Sequence, residues 1–137
     1  MIYRVDVEVT APVHDTEVTD RVADAVETLV PGAEMERAPG EIRAEAHSLD
    51  RFSELLHEQE ILDSARNEFA AGTRGDVIEF ELKKQPAFVG VVNFAVGDPD
   101  ELGGIRFEVH VHEPSVAAYI DHVAPPTEEG RPVERES

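Results

Sequence analysis

Cysteine is absent from the 137-residue chain. That excludes disulfide staples, a thiol nucleophile and any thiolate metal site. No apolar run approaches the ~20 residues that a membrane-spanning helix requires. Lysine is almost missing too: Lys83 and Lys84 are the only two, and the other cations are arginines. The phosphate-binding patterns Gly-x-Gly-x-x-Gly and Gly-Lys-Ser/Thr do not occur, nor does the Gly-x-Ser-x-Gly nucleophile elbow. The opening stretch MIYRVDVEVT alternates apolar and polar residues and carries no signal-peptide pattern, so a cytoplasmic protein is the expectation.

What the chain has in excess is acid. Thirty Asp and Glu face 12 Lys and Arg, a formal net charge of -18. Hydrophobic residues make up 41% of the chain in clear periodic patterns, which argues against a disordered acidic polymer. The composition fits a folded halophilic protein with an acidic surface. In concentrated salt the Debye length falls to ~3 Å at 1 M and self-repulsion is screened. The same charge disfavours non-specific binding of nucleic acid, which relies on basic residues.

In the stretch Ile2 to Thr10, Tyr3, Val5, Val7 and Val9 share one face, the signature of a strand buried on one side. Val18, Val22, Val26 and Leu29 form one helical stripe, opened by Asp15 or Thr16 and ended by Pro31-Gly32. A hairpin follows around Ala38-Pro39-Gly40. Ser48 to Gly72 reads as one long amphipathic helix with a start and a stop signal. Phe52, Leu55, Leu56, Leu62 and Phe69 fall in its apolar sector, but so do Gln59, Asp63 and Arg66, while Ile61 falls on the charged side. Either the helix bends near Gln59, or its second half runs past the sheet. The remaining reading is a polar strip, with Asp63 and Arg66 paired and Ile61 touching a loop or a second subunit.

Asp76 to Lys83 reads as a strand, then Lys84 to Gly90 leads into Val91–Phe94; Gly97 to Gly104 is a loop, Ile105 to Val111 the last strand, and Pro114 or Ser115 opens a short helix. The order β-α-β-β-α-β-β-β-α predicts an α+β two-layer sandwich, with helices on one face of a largely antiparallel sheet. Residues 1–123 read as a single α+β domain and 124–137 as an acidic, Pro-rich disordered tail. His110 and His112 lie on one strand face, with Glu108 beside them and His122 and Asp121 on the next helix. They are the residue types that hold zinc, but an exposed His-x-His is common, and no metal or cofactor is expected.

Three segments carry a resemblance: Ser48-Leu49-Asp50-Arg51-Phe52, Gln59-Glu60-Ile61-Leu62-Asp63-Ser64-Ala65-Arg66, and Lys84-Gln85-Pro86-Ala87-Phe88-Val89-Gly90 with Val92-Asn93-Phe94. Together they resemble an uncharacterised archaeal protein family grouped with a predicted RNA-binding superfamily. The match covers Met1 to Val123. The resemblance implies a ribosomal protein L-five-like fold and RNA as the partner of a non-catalytic domain. Its implied contacts are Arg66, Lys83 and Lys84 to phosphates, Phe88 stacking on a base, and Gln85 and Asn93 reading base edges. A purely structural reading places Phe88 in the core, Asn93 in a turn and Lys83-Lys84 on an exposed strand end. The competing function is a homodimeric interaction module without a nucleic-acid role, motivated by Ile61 and the short strands. An enzyme using the Gln59, Asp63, Arg66 strip as its pocket is the third.

Overall fold

Period-two alternation places Val5, Val7, Val9 and Ala11 on one side of the first strand, β1 (Arg4–Pro12), and all four are buried. The computed structural model describes residues 2–95, 103–128 and 131–132. Along the chain β1 is followed by α1 (Thr19–Leu29), β2 (Glu34–Ala38), β3 (Glu41–Ala46), α2 (Asp50–Glu58) and α3 (Leu62–Ala71). Then come β4 (Thr73–Arg74), β5 (Val77–Lys83), α4 (Lys84–Ala87), β6 (Gly104–Glu113), α5 (Val116–Val123), β7 (Thr127–Glu128) and β8 (Arg131–Pro132). Six strands form one sheet in the order β2-β3-β1-β6-β5-β4, and every pairing in it is antiparallel.

The helices bury one apolar stripe each against the inner face of that sheet. Val22, Val26 and Leu29 come from α1, Phe52 and Leu56 from α2, Leu62 and Phe69 from α3, and Tyr119 and Val123 from α5. Phe52, Phe69, Phe80 and Phe107 pack together at the centre, with Phe80 and Phe107 stacked at 4.8 Å. Fully burying one such side chain contributes about 1.5–3 kcal/mol. Val18 leaves the predicted stripe: α1 begins at Thr19, and Val18 is 61% exposed. Of the two residues that could open α5, Ser115 is the cap, its Oγ accepting from the Ala118 N–H at 3.1 Å.

The single long helix predicted over Ser48–Gly72 is two helices. Glu60 takes φ +56° between them. The Ile61 N–H donates to Leu56 O at 3.1 Å and the Glu60 N–H to His57 O at 3.2 Å. This is the Schellman termination, in which the residue in the left-handed region is usually glycine. Here a glutamate occupies that position, so the stop carries no glycine signal. The motif also turns the residue after the break back onto the helix it ends. Ile61 accordingly packs against the core, which removes the reason for assigning it to a second subunit. Phe52, Leu56 and Leu62 remain buried, because the break resets the helical phase. Gly72 ends α3 beside β5, where a Cβ would lie 1.8 Å from Glu79 O, so only glycine fits that approach.

The observed order therefore gains a helix break, the one-turn α4 and the short β4. Val91–Phe94 does not form the strand expected there; Phe94 makes an isolated bridge to Leu82. Most of the predicted Gly97–Gly104 loop lies outside the described residues. Within the predicted tail, Ala124 is buried and Thr127–Glu128 pairs with Arg131–Pro132, while residues 129–130 and 133–137 lie outside the description. Among the described residues, no helix is long and apolar enough to cross a membrane.

Candidate nucleic-acid interface

The segment after β5 is positioned by two polar side chains. Along β5 the residues Ile78, Phe80 and Leu82 point inward, and Lys84 keeps the same parity. Its side chain is fully buried; Nζ donates to Pro12 O and lies 2.9 Å from Glu17 Oε1. Glu17 is held in a turn after β1, where Oε1 also accepts from the His14 N–H at 3.0 Å. Burial pushes the Glu17 carboxyl up, and the His14 N–H and Lys84 ammonium pull it further down, leaving it below the ordinary glutamate range. Gln59 does the second job. Its Nε2 donates to Gly90 O and its Oε1 accepts from the Val92 N–H, both at 2.9 Å. That explains a polar residue in an apolar helical sector.

These ties hold α4 and the residues after it against α1. Between them runs a groove of about 420 Å³ lined by Thr16, Glu17, Val18, Arg21, Gln85, Phe88 and Val89. The volume falls in the ~300–1,000 Å³ range of small-ligand clefts. The Arg21 guanidinium sits 5.0 Å from the centre of the half-buried Phe88 ring, a cation–π contact. Val89 is 78% exposed at the rim. Among the described cationic side chains, Arg21, Arg74 and Lys83 are the three without a carboxylate within 4.0 Å; the rest are committed to ion pairs.

The six contacts implied by the resemblance divide. Gln85 and Phe88 meet in the groove. Lys83 and Asn93 are exposed neighbours, joined by a bond from the Lys83 N–H to Asn93 O at 2.7 Å. Lys84 is not a surface cation at all, because strand parity carries it inward to Glu17. Arg66 is taken up elsewhere: its Nη1 donates to Asp121 Oδ1 and to Ala124 O, both at 2.7 Å, tying α3 to the end of α5. The predicted Asp63–Arg66 pair is replaced, with Asp63 accepting from the Thr127 hydroxyl instead. With Gln59, Asp63 and Arg66 each engaged by a different element, the polar strip proposed as an enzyme pocket does not exist as a unit. Sequence reasoning missed Arg21, which only the α1–α4 packing brings over Phe88.

The histidines also separate. His122 stacks on Tyr3 with centroids 4.2 Å apart and lies 3.5 Å from Asp50, away from the sheet's outer face that carries His110 and His112.

Residues 6–111 match the model of a family described as RNA binding. The UPF0201 protein of Pyrococcus horikoshii is 35% identical over 136 residues, covering 94% of this chain and 96% of its own. The chain belongs to the archaeal UPF0201 family. The UPF0200/UPF0201 protein of Archaeoglobus fulgidus is 38% identical over 130 residues. The chain spans 40% of that relative's length and 55% of the length of the UPF0201 protein of Methanopyrus kandleri. The crystal structure of the Methanococcus jannaschii UPF0201 protein superposes with a TM-score of 0.86 at 32% identity, covering 94% of this chain and 99% of that one. The fold described above is thus shared with that UPF0201 protein.

Proposed function

We propose that this chain is a non-catalytic RNA-binding domain that takes single-stranded RNA across the α1–α4 groove in concentrated salt. The observation that carries the reading is Arg21, a guanidinium free of carboxylates, lying over the ring of Phe88 in an acidic protein. A planar cation on an aromatic ring offers a stacking platform for a base, and base–aromatic stacking contributes ~1–3 kcal/mol per base. Gln85 would read the edge of the stacked base, and Lys83 with Asn93 would meet the next phosphate and sugar. Stacking and hydrogen bonds carry the affinity because counterion release contributes little when salt is concentrated. The family description, RNA binding, supports the same ligand. The ribosomal protein L-five-like relationship and a cytoplasmic setting belong to this reading. Arg66 and Lys84 drop out of the contact set, since both are structural ties.

Fluorescence anisotropy with labelled single-stranded RNA of mixed sequence, in about 2 M potassium chloride, tests it. Arg21→Ala and Phe88→Ala are each expected to weaken binding about tenfold, the equivalent of one lost stacking contact. Arg74→Ala, a solvent-exposed cation off the groove, is expected to leave it unchanged. Binding no stronger than that of an unrelated protein of equal charge would remove the reading.

A further inference from the structure

Side chains on the outer face of the sheet stay exposed or half-buried, and cross-strand register collects them into rows. Glu34, Glu45, Glu8, Glu108 and Glu79 stand neighbour to neighbour across β2, β3, β1, β6 and β5. Like charges directly opposite one another destabilise a sheet. Two residues further along β6, on the same face, stands His110, in register with Asp6. His110 Nε2 lies 3.1 Å from Glu108 Oε1 and 4.0 Å from Glu8 Oε2, and one donor atom from each of the three falls within 4.8 Å of the others.

Those separations are informative. Ligands at about 2.0–2.2 Å from a tetrahedral ion stand about 3.4 Å apart, and the two observed distances bracket that value. One imidazole nitrogen and two carboxylate oxygens form the mixed donor set that zinc-type ions accept and that magnesium, which prefers an all-oxygen shell, does not. The three residues sit on two adjacent paired strands, so backbone hydrogen bonding fixes their spacing. We infer that Glu8, Glu108 and His110 form a binding site for one divalent transition-metal ion of the zinc class, with solvent completing its coordination. The ion would also neutralise the centre of the glutamate row. A neighbouring triple, Asp6, Glu45 and His47, is the less suitable one, because its Asp6 is also drawn to a histidine outside the triple: Oδ2 lies 2.7 Å from His112 Nε2. The site is separate from the α1–α4 groove and does not depend on the RNA reading.

Calorimetric titration of the full chain, stripped with chelator, decides it. Zinc chloride and magnesium chloride are the probes, in about 1 M potassium chloride so that diffuse attraction to carboxylates is screened. The expected result is one zinc ion per chain, magnesium at least tenfold weaker, and at least tenfold loss of zinc affinity in His110→Ala and in Glu8→Gln. His122→Ala, on α5 beside Tyr3, is expected to bind zinc like the parent. Circular dichroism confirms that each variant is folded, and a zinc-induced NMR shift of the His110 ring reads the site in the unaltered protein. Zinc binding retained in His110→Ala overturns the proposal. So does its loss in His47→Ala with His110→Ala unaffected, or uptake of several ions with equal affinity for magnesium.

Discussion

Lys84 Nζ lies 2.9 Å from Glu17 Oε1 in a contact from which water is excluded: the lysine side chain is 0% exposed and the glutamate side chain 6%. Desolvating two charges is costly, and their attraction offsets that cost only while both are present. Lys84→Met should therefore destabilise the domain by about 3–5 kcal/mol, because Glu17 is left charged, buried and unpaired. The double variant Lys84→Met/Glu17→Gln should recover a large part of the loss. Urea midpoints of the two single variants, the double variant and the parent measure this coupling.

The same pair sets a pH dependence. The folded-state pKa of Glu17 is depressed, so its stabilisation is fully present above the ordinary glutamate range and is lost as pH falls through the folded value. Denaturation followed from about pH 7 down to about pH 3 should show the parent losing more stability than the double variant over the acid end. Parallel curves for the two proteins would contradict the pairing.

Arg66 bridges α3 to α5 through two charge-assisted bonds, to Asp121 and Ala124 O. Arg66→Ala should cost about 2 kcal/mol, the usual worth of hydrogen bonds to a charged group in a half-buried setting. RNA affinity should stay within about twofold of the parent under conditions where the variant is folded. An Arg66→Ala protein with parental stability and lost RNA binding would return Arg66 to the interface.

Gln59 links the end of α2 to Gly90 and Val92. Gln59→Ala removes two bonds worth about 1 kcal/mol each and frees the backbone that carries Phe88 into the groove. Faster amide exchange at Val92, with the α2 amides unchanged, is the expected signature.

The glutamate row makes stability depend on salt. Glu45 stands between Glu34 and Glu8. Glu45→Gln should raise low-salt stability by about 0.5 kcal/mol, and the gain should vanish near 1 M potassium chloride, where the Debye length is ~3 Å. Melting temperatures of the variant and the parent across a salt series provide the check.

Much of the framework was legible because its signals are local. β1, β3, β5 and β6 alternate with the pleat, and α1 and α5 end near their breakers. The division of the long helix showed only indirectly, as Gln59, Asp63 and Arg66 in the apolar sector, which allowed a bend near Gln59; no glycine marked the stop, since Glu60 occupies the left-handed position. Lys84 illustrates a signal present but outweighed. Its parity with Leu82 pointed inward, yet a lysine beside another lysine reads as surface until a buried partner, Glu17, is known. Of the candidate interface, Gln85, Phe88 and Asn93 lie in the stretch that carries the resemblance, and Lys83 stands directly before it. Arg21 lies far from it in the chain and could not be paired with Phe88 by any local rule.

Periodicity, composition and breakers by themselves determined an acidic α+β chain with strands buried on one side and amphipathic helices to cover them. Those properties depend on residues a few positions apart, and the backbone's own repeat reads them out. Which cation meets which carboxylate was decided only by the tertiary structure. Lys84 with Glu17, Arg66 with Asp121, and Glu8 beside His110 are contacts between distant segments, set by how the strands register and the helices dock. In a chain with so many carboxylates, nearly every cation has several possible partners, and only packing selects among them.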